Sequence, residues 1–178
     1  MKHILHIILA VCALMLLDGC QQQQQQLQQN ARTPAYVYRK GYTAILRNGR
    51  AIAPPHAPRC IKRAIAAGNK IIRKPYRLGG GHSSHVDSAY DCSGSVAFVL
   101  REAGMLKDGA APSSGDFLRW GRPGFGKWLT VYAKRGHVFL IVAGLRFDTS
   151  GSGRRVGPRW YEKSRPCGGF KVRHIPGY

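Results

Sequence analysis

The chain has 178 residues, 44% of them hydrophobic, and its folded part amounts to one domain's worth of sequence. Lys and Arg outnumber Asp and Glu by 28 to 8, a net charge of +20, which implies an anionic neighbour. Nucleic acid is the usual partner of so basic a chain. Here, however, the basic residues are spread along the sequence rather than gathered on one recognition helix, and the N-terminus reads as an export signal, so no nucleic acid is expected.

Lys2 begins a short basic start, and Ile4 to Leu17 is almost wholly apolar. That run is short for a membrane-spanning helix and suits the apolar region of a secretory signal. Leu17-Asp18-Gly19-Cys20 resembles the box of a bacterial lipoprotein signal, in which Cys20 would be acylated and become the new N-terminus. Asp18 departs from that pattern, and cleavage near Gly19 or an uncleaved anchor are the alternatives. All three readings put the rest of the chain outside the cytoplasm. Residues 1–20 are therefore read as the signal segment and 21–35 as a Gln-rich disordered linker, because a glutamine tract buries no apolar surface. Residues 36–178 are read as the folded domain. Gln21 directly after a lipidated Cys20 favours outer-membrane sorting, so the expected location is the cell envelope, anchored by lipid and facing the periplasm.

Tyr36 to Ile52 has weak strand character and several turn signals. After Pro54, Pro55 and Pro58, the spacing of Ile61, Ala64, Ile65, Gly68 and Ile72 predicts a helix from Arg59 to Arg73, ended by Pro75. Gly79-Gly80-Gly81 opens a loop rich in Gly, His and Ser that reaches Tyr90. A second, more apolar helix is expected from Cys92 to Ala103, stopped by Gly104. A helical turn is expected within Gly115 to Trp120. Strands are expected at Lys127 to Ala133, Gly136 to Ala143, Leu145 to Thr149 and Phe170 to His174, with a tight turn at Ala143-Gly144. Helices followed by antiparallel strands predict an α+β domain.

The chemistry concentrates at two places. In Tyr90-Asp91-Cys92-Ser93-Gly94-Ser95 a cysteine opens a buried helix, where free backbone N–H groups and the helix dipole favour a thiolate. In Gly136-His137-Val138 a histidine leads a strand and can serve that thiol as a base. Cys60, Cys92 and Cys167 would remain after export, an odd number. The economical arrangement is a candidate disulfide between Cys60 and Cys167 with Cys92 free. Asp91 suits a helix N-cap. His82, His85 and Asp87 offer three metal-type ligands, but on a glycine-rich loop without rigid spacing, so no metal is expected and a solvated loop near a cleft is preferred. Trp120, Trp128 and Trp160 are candidates for lining a cleft or for packing. Gly157-Pro158-Arg159-Trp160, near Arg154 and Arg155, reads as a basic aromatic loop able to clamp carboxylates, or as a solvated run.

Tyr76-Arg77-Leu78-Gly79-Gly80, Tyr90-Asp91-Cys92-Ser93-Gly94 and Gly136-His137-Val138 occur in the order found in the NlpC-type cell-wall cysteine peptidases, bacterial relatives of papain, and the chain resembles that family from about Arg59 to Ser150. The resemblance implies a papain-like fold, with N-terminal helices on a small antiparallel sheet. It also implies hydrolysis of peptide bonds in peptidoglycan stem peptides, typically between γ-D-glutamate and a diamino acid. Cys92 would be the nucleophile, His137 the general base and later acid, and Tyr76 a hydroxyl beside the oxyanion, although the loop between Tyr76 and Cys92 is longer than usual. The family's third, imidazole-orienting residue falls at Asp148 or Thr149. Strand alternation lets one of them face the histidine, and a carboxylate is the better chemistry, so Asp148 is preferred. No cofactor is implied. An amidase or acyltransferase on the same scaffold, or an inactive wall-binding lipoprotein, are the alternatives.

Overall fold

A computed structural model of the chain describes residues 31–150 and 157–178. The signal segment with Cys20, the glutamine tract to Asn30, and Arg154 and Arg155 lie outside the described residues. Among the described residues no helix is long and apolar enough to cross a membrane. The chain divides into two compact units: a large one of Pro34–Ser164 with Phe170–Tyr178, and a small one to which residues 31–33 and Arg165–Gly169 belong.

In the small unit Thr33 N–H donates to Arg165 O at 2.9 Å, and Cys167 N–H donates to Ala31 O at 2.7 Å. Arg165 N–H donates to the Thr33 hydroxyl at 3.0 Å. Residues 31–33 were expected within the linker. They form a β-bridge instead, because their backbone groups find partners more than a hundred residues away, which local composition cannot reveal.

The large unit is α+β, with two helices on an antiparallel sheet, and Cys92 opens the more buried of them. A hairpin of β1 (Ile45–Arg47) and β2 (Arg50–Ile52) precedes helix α1 (Arg59–Ile71). Asn69 of α1 fastens this hairpin by bonding both the N–H and the C=O of Ala51, at 3.0 and 2.8 Å. Ile61, Ala64, Ile65 and Gly68 form the buried face of α1, as their spacing predicts. Helix α2 (Cys92–Glu102) is buried from Cys92 to Arg101 and packs on α1 and on the sheet.

The sheet is built from β3 (Arg122–Pro123), β4 (Leu129–Lys134), β5 (His137–Val142), β6 (Leu145–Asp148), β7 (Arg159–Tyr161) and β8 (Lys171–His174), in the order β3-β8-β4-β5-β6-β7. Every pairing is antiparallel. The turn between β5 and β6 has Ala143 at φ 45° and Gly144 at φ 87°, the two left-handed residues that a tight hairpin of this twist requires. A one-turn 3₁₀ helix at Asp116–Leu118 stands where a helical turn was expected.

Strand β7 corrects the reading of Gly157 to Trp160 as a loop. Trp160 pairs with Phe147 of β6 and is buried, while Arg159 stays exposed, the alternation of an edge strand. Cys60, Cys92 and Cys167 are free thiols in the structure, and the anticipated Cys60–Cys167 disulfide is a bond between a residue of the large unit and one of the small unit. Cys60 spends its side chain on packing against the hydrophobic core, and burial raises the pKa of the Cys167 thiol.

Candidate active site

Cys92 is held by what surrounds the start of α2. Asp91 has extended backbone, and its Oδ1 accepts from Gly94 N–H at 2.7 Å, which caps the helix. Its Oδ2 accepts from Gly79 N–H at 2.9 Å, so one buried carboxylate ties the glycine-rich loop to the helix start. His82 Nε2 lies 3.1 Å from both Asp91 Oδ1 and Ser93 Oγ, a second strap across the same joint. The loop lies so close that a side chain at Gly94 would place its Cβ 2.0 Å from Gly80 O. The small residues after Cys92 therefore let a loop backbone sit directly on the first turn of the helix.

The expected solvated loop is thus firmly bonded, and its three metal-type side chains go three separate ways. His82 turns to Asp91, and His85 Nε2 meets Glu102 Oε1 at 2.9 Å while its ring stacks on Phe98. Asp87 accepts two bonds from Arg77 Nη2, at 2.9 and 3.0 Å, and another from Gly81 N–H at 2.9 Å. The Gly81 N–H, then the N–H groups of Ser88 and Ala89 and the charge of Arg77, hold its carboxyl well below the usual range against the effect of burial.

His137 opens β5 and brings the base to the thiol. Its Nε2 lies 2.9 Å from Asp148 Oδ1, and the Cys92 thiol is near enough to act on the charge of the ring. With Nε2 committed to Asp148, Nδ1 is the nitrogen available to sulfur. Burial disfavours the charged ring, but the bonds and charges of Asp148 and Cys92 outweigh it and raise the imidazole pKa from 6.5 to about 9. Of the two residues at the third position, Asp148 faces the histidine, and its side chain is fully buried. Thr149 is buried and comes next on the chain.

Tyr76 is 40% exposed, and its hydroxyl pKa is raised first by burial and then by the negative charges of Cys92 and Asp91. Its hydroxyl is therefore within electrostatic reach of the helix start that carries Cys92, despite the long intervening loop. Three candidates from separate segments are thus brought together: His137 is bonded to Asp148 and interacts with Cys92, and Tyr76 lies within electrostatic reach of Cys92.

Sequence reasoning missed Arg146. Its guanidinium donates from Nη1 to Asp148 Oδ2, lies 4.2 Å above the Tyr161 ring, and is itself nearly buried. The signal was present, because residues two apart on a strand share a face, so Arg146 goes wherever Asp148 goes. Ser150 completes the carboxylate's shell, donating to Asp148 Oδ1 from both N–H and Oγ at 3.0 Å. A carboxylate so surrounded is fixed in place, and it can hold an imidazolium in one orientation.

Comparison with known proteins is sparse. No family model and no curated protein matches the chain. Among solved structures, two mutated forms of the Resuscitation Promoting Factor Interacting protein RipA align at 23% and 24% identity, with TM-scores of 0.48 and 0.47. A hypothetical invasion protein of Mycobacterium tuberculosis aligns at 24% identity with a TM-score of 0.48. Each alignment covers 67% of this chain and 66% of the other, so the chain matches just under two thirds of those proteins' length.

Proposed function

We propose that the chain is an exported cysteine peptidase that hydrolyses peptide bonds in the stem peptides of bacterial peptidoglycan. The observation that carries the reading is the buried Cys92–His137–Asp148 relay, with the imidazole pKa raised to about 9. A surface histidine beside a structural cysteine has no use for a fully buried carboxylate behind it. The order of motifs around these residues supports the wall peptide as substrate, and the apolar start followed by Leu17-Asp18-Gly19-Cys20 supports export with a lipid on Cys20.

In the reaction His137 takes the Cys92 proton, and the thiolate attacks the scissile carbonyl carbon. The tetrahedral oxyanion receives hydrogen bonds from the Cys92 N–H at the helix start and from the Tyr76 hydroxyl. As the C–N bond breaks, the imidazolium delivers its proton to the leaving amine, and the acyl group stays on sulfur as a thioester. Neutral His137 then takes a proton from water. The hydroxide formed attacks the thioester, the C–S bond breaks, and the acid leaves. Asp148, held by Arg146 and Ser150, keeps the ring turned towards sulfur in both halves.

Digestion of purified peptidoglycan followed by mass analysis tests this. New amine and carboxyl termini should appear within stem peptides with the wild type and not with Cys92→Ala. A folded wild-type protein that leaves every fragment unchanged refutes the proposal. Export and lipidation are tested separately, by the mass of the N-terminal peptide recovered from the membrane fraction.

A further inference from the structure

A concave site lies at the opposite end of the sheet from the chemistry. The turn Ala143-Gly144 forms part of its wall, six residues along β5 from His137. At the rise of a strand that is about 20 Å. The cleft has a volume of about 330 Å³, and its walls include Arg39, Tyr42, Thr43, Lys127, Trp128 and Gly144.

Three of its properties together point to a ligand. First, the walls are tied down. Ala44 N–H donates to Ala143 O at 2.8 Å, the Tyr36 hydroxyl donates to Ala44 O at 2.9 Å, and the Thr43 hydroxyl both accepts from Arg39 N–H and donates to Val37 O. Second, its aromatic surface is organised but open. Tyr42 stacks on buried Trp128 at 5.9 Å with an angle of 18° between the rings, and His56 braces it from 5.0 Å, yet Tyr42 remains 52% exposed. Third, its charge is one-sided: Arg39 and Lys127 line it, no acidic residue among the described residues does, and no described carboxylate forms an ion pair with either cation.

We infer that this cleft binds an anionic sugar, its ring laid against Tyr42 and its carboxylate or phosphate held by Arg39 and Lys127. The C–H face of a sugar ring matches an exposed aromatic ring, and two cations at the rim of the same cleft, neither paired with a described carboxylate, select a negative substituent. A concave, braced site of this size suits a discrete ring. A flat membrane surface would need no cleft. Such a site gives the protein a hold on an acidic polysaccharide that is independent of the Cys92 chemistry, and it supplies a local reason for part of the +20 charge.

The test is titration of the full chain with N-acetylmuramic acid, glucosamine 6-phosphate and neutral N-acetylglucosamine, read by tryptophan fluorescence and by calorimetry. At least one anionic sugar should bind saturably and tenfold or more tighter than the neutral one. Whether the carboxylate or the phosphate wins identifies the source polymer. Arg39→Gln and Lys127→Gln should each weaken binding at least fivefold and Tyr42→Ala at least tenfold, with peptide hydrolysis unchanged. Because Tyr42 is half exposed, that variant should fold, and its melting temperature checks this. Equal affinity for neutral and anionic sugars, or wild-type affinity in all three variants, overturns the inference. Competition by acetate as effective as that of the sugar also overturns it. So does loss of binding to phosphatidylglycerol vesicles in the variants with no response to any sugar, which would make the patch a membrane contact. Cys92→Ala should bind the sugars as the wild type does, so a failed peptidase assay leaves this result standing.

Discussion

Asp148→Asn tests what sets the proton affinity of His137. Asparagine keeps the shape but has one acceptor oxygen where aspartate has two, so it can accept from His137 or from Arg146 and not from both, and the negative charge is lost with the second bond. The folded imidazole titrates at about 9, against 6.5 for an ordinary histidine. That interval corresponds to about 3 kcal/mol in favour of the charged, folded form. The side chain is only 16% exposed, so solvent screens little of it. Since the folded pKa lies above the unfolded one, this stabilisation is fully present below about pH 6.5 and is lost as pH rises through about 9. The measurement belongs in a Cys92→Ala background, which removes the titrating thiol. Urea unfolding from pH 5 to pH 10, together with the imidazole ¹³C shift, then reads Asp148 alone. With Asp148 present, the ring should titrate above 6.5 but below the value it has beside Cys92, because the thiol's share of the rise is gone, and stability should fall as pH rises from 6.5 through that lower value. With Asp148→Asn added, that slope should vanish and the ring should titrate at or below 6.5, because burial then acts unopposed. The double variant will also be less stable at every pH, since Arg146 is left as a buried charge without its partner. Only the pH-dependent part tests the argument. A ring that titrates at the same pH with aspartate or asparagine at 148 refutes it.

Arg146→Met should act in the opposite sense. It leaves Asp148 uncompensated, so the alkaline limb of the rate profile should move up in pH, where Asp148→Asn moves it down, and stability should fall by about 3–5 kcal/mol. A merely structural arginine would lower stability without moving that limb. Asp91→Ala removes the cap of α2 and the acceptor for Gly79, for a loss of about 2–3 kcal/mol, and should lower the melting temperature by roughly 5–10 °C. Asp91→Asn should recover much of it, and equal damage by both would show that the carboxylate charge matters more than the cap. If the Tyr76 hydroxyl meets the oxyanion as proposed, Tyr76→Phe should lower kcat by roughly tenfold to a hundredfold, with the urea midpoint unchanged because the ring is partly exposed. An unchanged kcat would remove Tyr76 from the site.

What was legible in the sequence was what neighbours along the chain encode. Ile61, Ala64, Ile65 and Gly68 sit on the buried face of α1 because 3.6-residue spacing determines it, and Asp91 caps α2 because an acceptor just before a helix has few other uses. The illegible features depend on distant partners. Gly157-Pro158 reads as a turn from its residues, and only pairing with the edge of β6 makes a strand of Arg159–Tyr161. Counting cysteines gives parity but no geometry, and it could not tell that Cys60 packs partly against the core. The cleft at Tyr42 and Trp128 is assembled from three stretches of chain separated by about fifteen to eighty residues, and nothing in any one of them announces it.

The choice between Asp148 and Thr149 falls between these cases and shows how a local rule could have settled a distant contact. Alternation along β6 puts Arg146 and Asp148 on one face and leaves Thr149 on the other. If Thr149 faced His137, then Arg146 and Asp148 would turn together to the other side, away from any imidazole. If Asp148 faces it, the arginine arrives too and stabilises the carboxylate where it is needed. Only the second arrangement gives each buried charge a partner, and burial of an unpaired charge costs more than any preference of the backbone for one register. The observed contacts obey that rule: His137 and Ser150 occupy Oδ1 while Arg146 occupies Oδ2. The arginine two residues before the aspartate was therefore the residue to weigh, and the third member of the relay is better regarded as the pair Arg146–Asp148 than as Asp148 alone.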